Sequence, residues 1–280
     1  MSIGAVEPRE PAAPRPAATV LLVRNAPEPA AGRTPLQVFL QRRVTGMAFA
    51  GGMTVFPGGG VDPDDRPAPA RWTGPGPRWW AERLGCPDEL AGALVHAAVR
   101  ETFEECGVLL AGPADGGPLD PEVLTQGRAD VVAGRRTFRE LLAAADLAVR
   151  ADLLRGWARW ITPESSPRRY DTFFFAATVP DGQQADGATT EAVEASWWHP
   201  EDALAQWRDG AIQLMPPTLR TLRQIAEYPD TGGVLAAADQ QPIEPVIPKV
   251  VRRGDDIVVV VPGDPDYPLA VDHLSPAVRP

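Results

Sequence analysis

Glu101, Glu104 and Glu105 stand beside Arg100 in the stretch Ala97-Ala-Val-Arg-Glu-Thr-Phe-Glu-Glu-Cys-Gly-Val108. At about 100° per residue the three carboxylates share one face of a helix. Val95, Val99, Phe103 and Cys106 fall on the opposite, apolar face. As pure scaffold this is poor design. Like charges at i,i+3 and i,i+4 repel by roughly a few tenths of a kcal/mol each. Acids in the last turn also meet the negative end of the helix, at a cost of about 0.3–1 kcal/mol. The cluster becomes favourable around a hard divalent cation, Mg²⁺ or Mn²⁺, which takes carboxylate and phosphate oxygens together. Arg100 is spaced to brace Glu104 from one turn away. A solvated acidic face is the commoner fate of an isolated E-x-x-E-E, so the surrounding elements must decide between the two.

Those elements can be traced along the chain. Residues 18–24 and 36–41 are β-branched apolar runs that read as strands. After Val55-Phe56 comes Pro57-Gly58-Gly59-Gly60, a strong strand breaker. Residues 62–85 are dense in proline and glycine and read as a long surface excursion, with a short helical turn over 78–84. A helix opens at Pro87 with acids in its first turn and runs to Cys106, where Gly107 stops it. Residues 136–154 read as a second helix. Strands are expected over 157–161, 170–179, 193–198 and 256–261, and helices over 200–207 and 217–228. Irregular alternation of this kind points to a mixed α/β domain. Residues 1–18 read as a disordered Pro/Ala-rich tail.

Composition narrows the function classes. The 280 residues include 32 prolines and 26 glycines, loop-rich but within the range of folded proteins. A net charge of −10 disfavours nonspecific binding to nucleic acid or an anionic membrane, so a polyanionic substrate would need a cation to mediate. Two cysteines, Cys86 and Cys106, exclude a disulfide framework and suit a reducing compartment, which we expect to be cytoplasmic. No stretch is long and apolar enough for a membrane span, and the N-terminus lacks a secretory h-region. His96, His199 and His273 have no zinc-ligand spacing, and Cys106 on the apolar face reads as core. Lys249 is the only lysine, a bias read as GC-rich codon usage.

The core R-E-x-x-E-E-x-G, with Pro-Gly-Gly upstream, resembles the box of the Nudix hydrolases, G-x5-E-x7-R-E-U-x-E-E-x-G-U with U apolar. Arg100, Glu101, Glu104, Glu105, Gly107 and Val108 match it, and Gly59 resembles its opening glycine. Thr102 replaces an apolar residue, and Gly92 stands where the upstream glutamate would fall when counted back from Arg100. Gly59 to Arg100 spans 41 positions (100 minus 59) where the pattern has 14, an insertion of 27. Such a split box is similar to the branch containing the mammalian peroxisomal coenzyme A diphosphatases and their bacterial relatives. Weaker matches to that branch are Gly52-Met-Thr-Val-Phe-Pro-Gly-Gly59, Trp160-Ile-Thr-Pro163, Arg168-Arg-Tyr-Asp-Thr-Phe-Phe-Phe175, Trp198-His-Pro-Glu-Asp-Ala-Leu204, Pro216-Pro-Thr218 and Pro262-Gly-Asp264.

The resemblance implies a Nudix α/β/α sandwich: a domain over 19–230, an insert near 62–86, and a C-terminal extension over 231–280 packed on it. It implies Mg²⁺- or Mn²⁺-dependent hydrolysis of a diphosphate bond in a nucleotide-type small molecule, with coenzyme A or its esters favoured. ADP-ribose or a dinucleotide is the alternative substrate, and a non-catalytic nucleotide sensor the alternative class. Glu101, Glu104, Glu105 and the Gly59 carbonyl would hold metal, with Arg100 bracing. Glu104, Glu191 or Glu194 would take a proton, and Asp62 is placed for a further contact. Arg42, Arg43, Arg168 and Arg169 are the candidates for substrate phosphate. No nucleic-acid or membrane partner is expected, and a homodimer is left open.

Overall fold

The computed structural model describes residues 12–28, 32–47, 50–67, 71–164, 166–189, 191–254 and 256–270. Along the chain, β1 (Arg15–Asn25) and β2 (Leu36–Arg43) precede the short β3 (Thr54–Val55) and β4 (Gly58–Gly60). Then come β5 (Trp72–Thr73), α1 (Pro77–Leu84) and the long α2 (Asp88–Cys106). After them follow β6 (Ala111–Pro113), α3 (Arg128–Val132), α4 (Phe138–Ala144), β7 (Leu147–Arg150), β8 (Arg155–Ile161) and β9 (Tyr170–Thr178). The last part of the chain holds β10 (Ala192–Trp198), α5 (Pro200–Arg208), α6 (Pro216–Ile225), α7 (Thr231–Gln240), β11 (Pro245–Val246), β12 (Lys249–Arg253) and β13 (Asp256–Val260).

The main sheet runs β10-β2-β1-β9-β8-β11, with β3 on β2 and β4 on β1. β1 and β9 lie parallel at its centre, in register from Arg15 opposite Tyr170 to Val23 opposite Thr178. Both are covered on both faces, which is why they read as nearly continuous apolar runs. Ala18, Val20 and Leu22, with Phe173, Phe175 and Ala177, face a core built on α1 and α2. Leu21 and Val23, with Phe174 and Ala176, face the other core, closed by Leu222 and Ile225 of α6 and Val234 and Ala238 of α7. The layering is α/β/α, as expected.

β1 already starts at Arg15, so the end of the supposed tail is strand: it pairs with both β4 and β9. Residues 1–11 lie outside the described residues. Most described residues of the insert are exposed, but its helical end is core. Trp80 and Leu84 of α1 are fully buried, and Trp80 meets Phe175 of β9 edge-on at 5.6 Å between centroids. The helical turn expected over 78–84 forms as α1, and Trp80, Ala81 and Leu84 are its buried residues. The expected helix over 136–154 also divides. Thr137 and Glu140 cap the start of α4 reciprocally. Asp146 then takes a left-handed conformation (φ 56°), and β7 joins a second, three-stranded sheet between β5 and β6. Past residue 231, α7 packs in the second core and β11 pairs with β8 at the end of the main sheet, while residues 271–280 lie outside the described residues. Among the described residues no helix is long and apolar enough to cross a membrane.

Candidate active site

α2 delivers the carboxylates and β4 delivers the backbone that meets them. Gly107 ends α2 with its N–H on the Phe103 carbonyl at 3.0 Å. The negative helix end is answered by Arg128 of α3, whose Nε and Nη2 donate to the Glu104 carbonyl at 3.2 and 3.1 Å. Asp186 holds that guanidinium from the other side, at 2.7 and 2.9 Å. Nothing in the local sequence announced this capping arginine, which arrives from 24 residues downstream.

β4 crosses α2 at two glycines with separate reasons. Gly58 has φ 151°, and a Cβ there would overlap the Ala18 carbonyl and Thr19 of β1. Its N–H donates to Glu105 Oε2 at 2.8 Å. At Gly59 a Cβ would instead overlap the Glu101 carboxylate. The Pro-Gly-Gly turn is thus a close approach of backbone to carboxylates. Gln41 of β2 adds a second donor to Glu105 Oε2, at 2.6 Å, and its own Oε1 is buried with no hydrogen-bond partner among the described residues.

Arg100 is the hub of the other carboxylates. Its Nη1 donates to Glu101 at 2.9 Å and Glu104 at 3.4 Å, and its Nη2 to the Gly60 carbonyl at 2.9 Å. A fully buried Asp65 grips the same guanidinium at Nε (3.0 Å) and Nη2 (2.9 Å), and its Oδ1 lies 2.7 Å from His96 Nδ1. Asp62 is 3.7 Å from Arg100 and mostly exposed. Asp65 is the residue the sequence reading missed. Counted forward from Gly59, G-x5 lands on Asp65; counted back from Arg100 it lands on Gly92. The 27-residue insertion follows the acid rather than preceding it, so the forward count was the available signal.

Electrostatics sets the character of this end. Burial pushes the Glu101 carboxyl up to about 8 despite Arg100, with Glu105 and Glu104 adding repulsion. Burial also lifts Glu105 to about 7, partly countered by the Gly58 N–H and Gln41. Glu104 is raised as well, by burial against the pull of Arg100. Asp65 goes the other way: burial alone would raise it, but the His96 and Arg100 hydrogen bonds hold it below the usual carboxylate range. Among the described residues no three His, Cys, Asp or Glu side chains converge closely enough to hold an ion in these rotamers. Arg100 draws Glu101 and Glu104 aside, and Gln41 with Gly58 anchors Glu105.

A cavity of about 560 Å³ opens beside the cluster. Part of its floor is a row in register across the sheet: Gly60 of β4, Ala17 of β1, Thr172 of β9 and Trp160 of β8. Glu101 and Gly59 line one end, and much of the wall is apolar, including Phe56, Phe174 and Pro216. Of the other expected residues, Glu191 and Arg43 line the cavity, paired at 3.1 Å. Glu194 and Arg42 pair with each other at 3.3 Å, half exposed, and do not line it. Arg168 is exposed on a loop outside it. Arg169 is buried, donating to the Thr162 and Ala12 carbonyls at 3.0 and 2.9 Å, so it ties together the chain at the ends of β1, β8 and β9 and is spent on structure. Cys106 is buried core.

The chain resembles known proteins along most of its length. A family model described as the NUDT19 Nudix domain matches residues 81–225, just over half of the chain. The acyl-coenzyme A diphosphatase NUDT19 of Homo sapiens is 29% identical over 290 residues, covering 90% of this chain and 76% of that protein. A putative nudix hydrolase 7 of Caenorhabditis elegans is 29% identical over 237 residues, covering 84% of this chain and 71% of its own length. Among solved structures, a NUDIX hydrolase from Alicyclobacillus acidocaldarius aligns with a TM-score of 0.64 and 28% identity, covering 83% of this chain and 99% of that one.

Proposed function

The chain belongs to the NUDT19 Nudix family, and from that premise we propose that this diphosphatase cleaves the diphosphate bond of coenzyme A or an acyl-coenzyme A with a divalent cation, Mg²⁺ or Mn²⁺. The observation that carries the reading is the position of the carboxylates: Glu101 lies against Gly59 at one end of a largely apolar cavity. Such a cavity suits a substrate with a charged diphosphate and a long uncharged arm. The activity named for the human relative has that shape of substrate.

A divalent cation fits the residues present. Glu101 and Glu105 are hard oxygen donors whose burial makes their negative charge unfavourable, which a cation would relieve. The unpartnered Gln41 Oε1 beside Glu105 is a further unused oxygen. Glu101, Glu104, Glu105 and the Gly59 carbonyl would hold it. When bound, it supplies charge neutralisation on the diphosphate and a lowered pKa for an attacking water.

The chain's own residues do the remaining work. Gly58 and Gln41 fix the Glu105 rotamer, so one carboxylate oxygen is preset. Asp65 fixes Arg100, and Arg100 in turn fixes Glu101 and Glu104. Glu191, which lines the cavity and whose charge is felt by Glu105, is the carboxylate we place to take the water's proton, with Glu104 the other within the cluster. Phe56, Phe174 and Trp160 exclude water from the uncharged part of the substrate.

The test is a panel of coenzyme A, acetyl-coenzyme A, ADP-ribose and a diadenosine polyphosphate with Mg²⁺ or Mn²⁺, products identified by mass. The expected products from coenzyme A are 4′-phosphopantetheine and 3′,5′-ADP. Turnover of ADP-ribose or the dinucleotide without turnover of either coenzyme A compound would overturn the substrate assignment.

A further inference from the structure

The matched family region ends at residue 225, but the cavity does not. Pro248, Lys249 and Val250, with Val259 of the facing strand, close part of its wall from the β12–β13 hairpin. The route there can be followed in register. The floor row Gly60–Ala17–Thr172–Trp160 continues to Val246 of β11, which pairs with Trp160 at the sheet edge. Four strand spacings separate Gly60 from Val246, about 19 Å at roughly 4.8 Å each. Lys249 follows three residues later. One cavity therefore has carboxylates at one end and the protein's only lysine toward the other.

The charges along the wall single that lysine out. Among the described residues, the charged ones lining the cavity are Arg43, Glu101, Glu191 and Lys249. Arg43 is neutralised by Glu191 and also donates to the Met47 sulfur at 3.1 Å. Lys249 has no carboxylate within ion-pair distance among the described residues; its ammonium sits 4.9 Å from the centre of the Tyr267 ring. The ring is held in turn, its hydroxyl donating to the Ile247 carbonyl at 3.0 Å. A cation steadied on an aromatic face beside an apolar cavity, in a chain of net charge −10, is placed for an anion that enters with the ligand.

Resting on the coenzyme A reading above, we propose that Lys249 is the specificity residue that pairs with the substrate's phosphate monoester, the 3′-phosphate carried on the same ribose as the diphosphate but not part of the bond that is cut. The arginines expected for this task are otherwise engaged or elsewhere: Arg42 and Arg43 by glutamates, Arg169 by carbonyls, Arg168 outside the cavity. A strand-borne ammonium on a four-carbon stem can follow such a group without a fixed bidentate geometry.

The experiment measures kcat/KM for coenzyme A and 3′-dephospho-coenzyme A with the full chain and Mg²⁺, in the wild type, Lys249→Ala and Lys249→Arg, with Tm as the folding control. Lys249→Ala should lower kcat/KM for coenzyme A roughly tenfold to a hundredfold more than for the dephospho compound, the size of a lost charge-assisted hydrogen bond. The change should fall in KM, and Lys249→Arg should recover much of it. A second readout needs no turnover. In EDTA, acetylation of Lys249 by an N-hydroxysuccinimide ester, followed by peptide mass, should be slowed by coenzyme A and much less by 3′-dephospho-coenzyme A. Equal losses on both substrates, or equal protection by both, would overturn the assignment while leaving the diphosphatase reading intact. A wild type that turns over neither compound would instead remove the substrate reading on which the assignment rests.

Discussion

The two ends of the cavity are built on different principles. At the carboxylate end the charged groups are interlocked: Arg100 touches Asp65, Glu101, Glu104 and the Gly60 carbonyl, and Glu105 touches Gln41 and Gly58. At the hairpin end Lys249 has one ring beneath it, and Val259 beside it is half exposed. The first end over-determines its geometry and stores buried charge; the second offers surface and a single cation. Chemistry needs side chains held to a fraction of an ångström, whereas recognition of a group that does not react tolerates play. Mutations should therefore separate cleanly, with rate effects at the first end and affinity effects at the second.

The largest expected effect is at Glu105. Glu105→Gln should cut kcat by roughly a thousandfold, several kcal/mol of transition-state stabilisation. Because burial has raised this carboxyl to about 7, the metal-free variant at pH 8 should melt no lower than wild type and gain less Tm from Mg²⁺. Turnover near the wild-type rate would break the comparison at its strong end.

Two neighbouring glycines sharpen it next. Gly59→Ala collides with the flexible end of Glu101, so it should leave a folded protein whose rate falls roughly a hundredfold through a misplaced carboxylate. Gly58→Ala collides with β1 backbone at a φ unfavourable to alanine, so it should lose Tm and soluble yield as well. Circular dichroism melts and kinetics on both variants would expose any reversal of that order.

Asp65→Asn keeps the shape of the buried acid but removes its charge from Arg100 and His96. The expected loss is roughly tenfold to a hundredfold in kcat, as for other groups that orient a site residue. Breaking a buried ion pair should cost about 3–5 kcal/mol of stability as well, measured by urea unfolding. An unchanged kcat would show that Glu101 and Glu104 do not depend on this anchor.

A pH scan of metal-free protein gives a smaller effect of definite sign. Glu101 and Glu105 titrate near 8 and 7 in the folded protein, against 4.5 for an ordinary glutamate. The folded protein therefore holds protons that the unfolded chain has released, and stability falls as pH rises from about 4.5 through 8. Asp65 is lowered, so its contribution is present above pH 3.8 and lost in stronger acid. Tm without metal should peak between the two ranges, and Mg²⁺ should raise it most at the alkaline end. Glu101→Gln should flatten the alkaline slope; an unaltered slope would assign it elsewhere. Smallest of all, Val259→Ser at the hairpin end should shift KM a few-fold with kcat and Tm nearly constant, about the worth of a partly buried methyl contact.

Much of this was legible in one dimension. The apolar runs of β1, β2 and β9, the span of α2 and its stop at Gly107, and the local cluster Arg100-Glu101-Glu104-Glu105 are short-range signals, because hydrophobic period, capping and i,i+4 spacing act within a few turns of chain. What the tertiary structure alone decided lies at long separation. Asp65 reaches Arg100 across 35 residues, Gln41 reaches Glu105 across 64, and Arg83 of α1 donates to Gln241 across 158. No local pattern encodes such pairs, since a buried polar group is satisfied by whichever partner the fold brings near. The same holds for the arginines. Arg42, Arg43, Arg168 and Arg169 are one residue type in the sequence, yet burial and pairing make one a member of a surface ion pair, one a member of an ion pair lining the cavity, one an exposed loop residue and one a structural tie. Lys249, read from composition as codon bias, was brought to the cavity without a carboxylate partner among the described residues, beyond the far end of a register that crosses five strands.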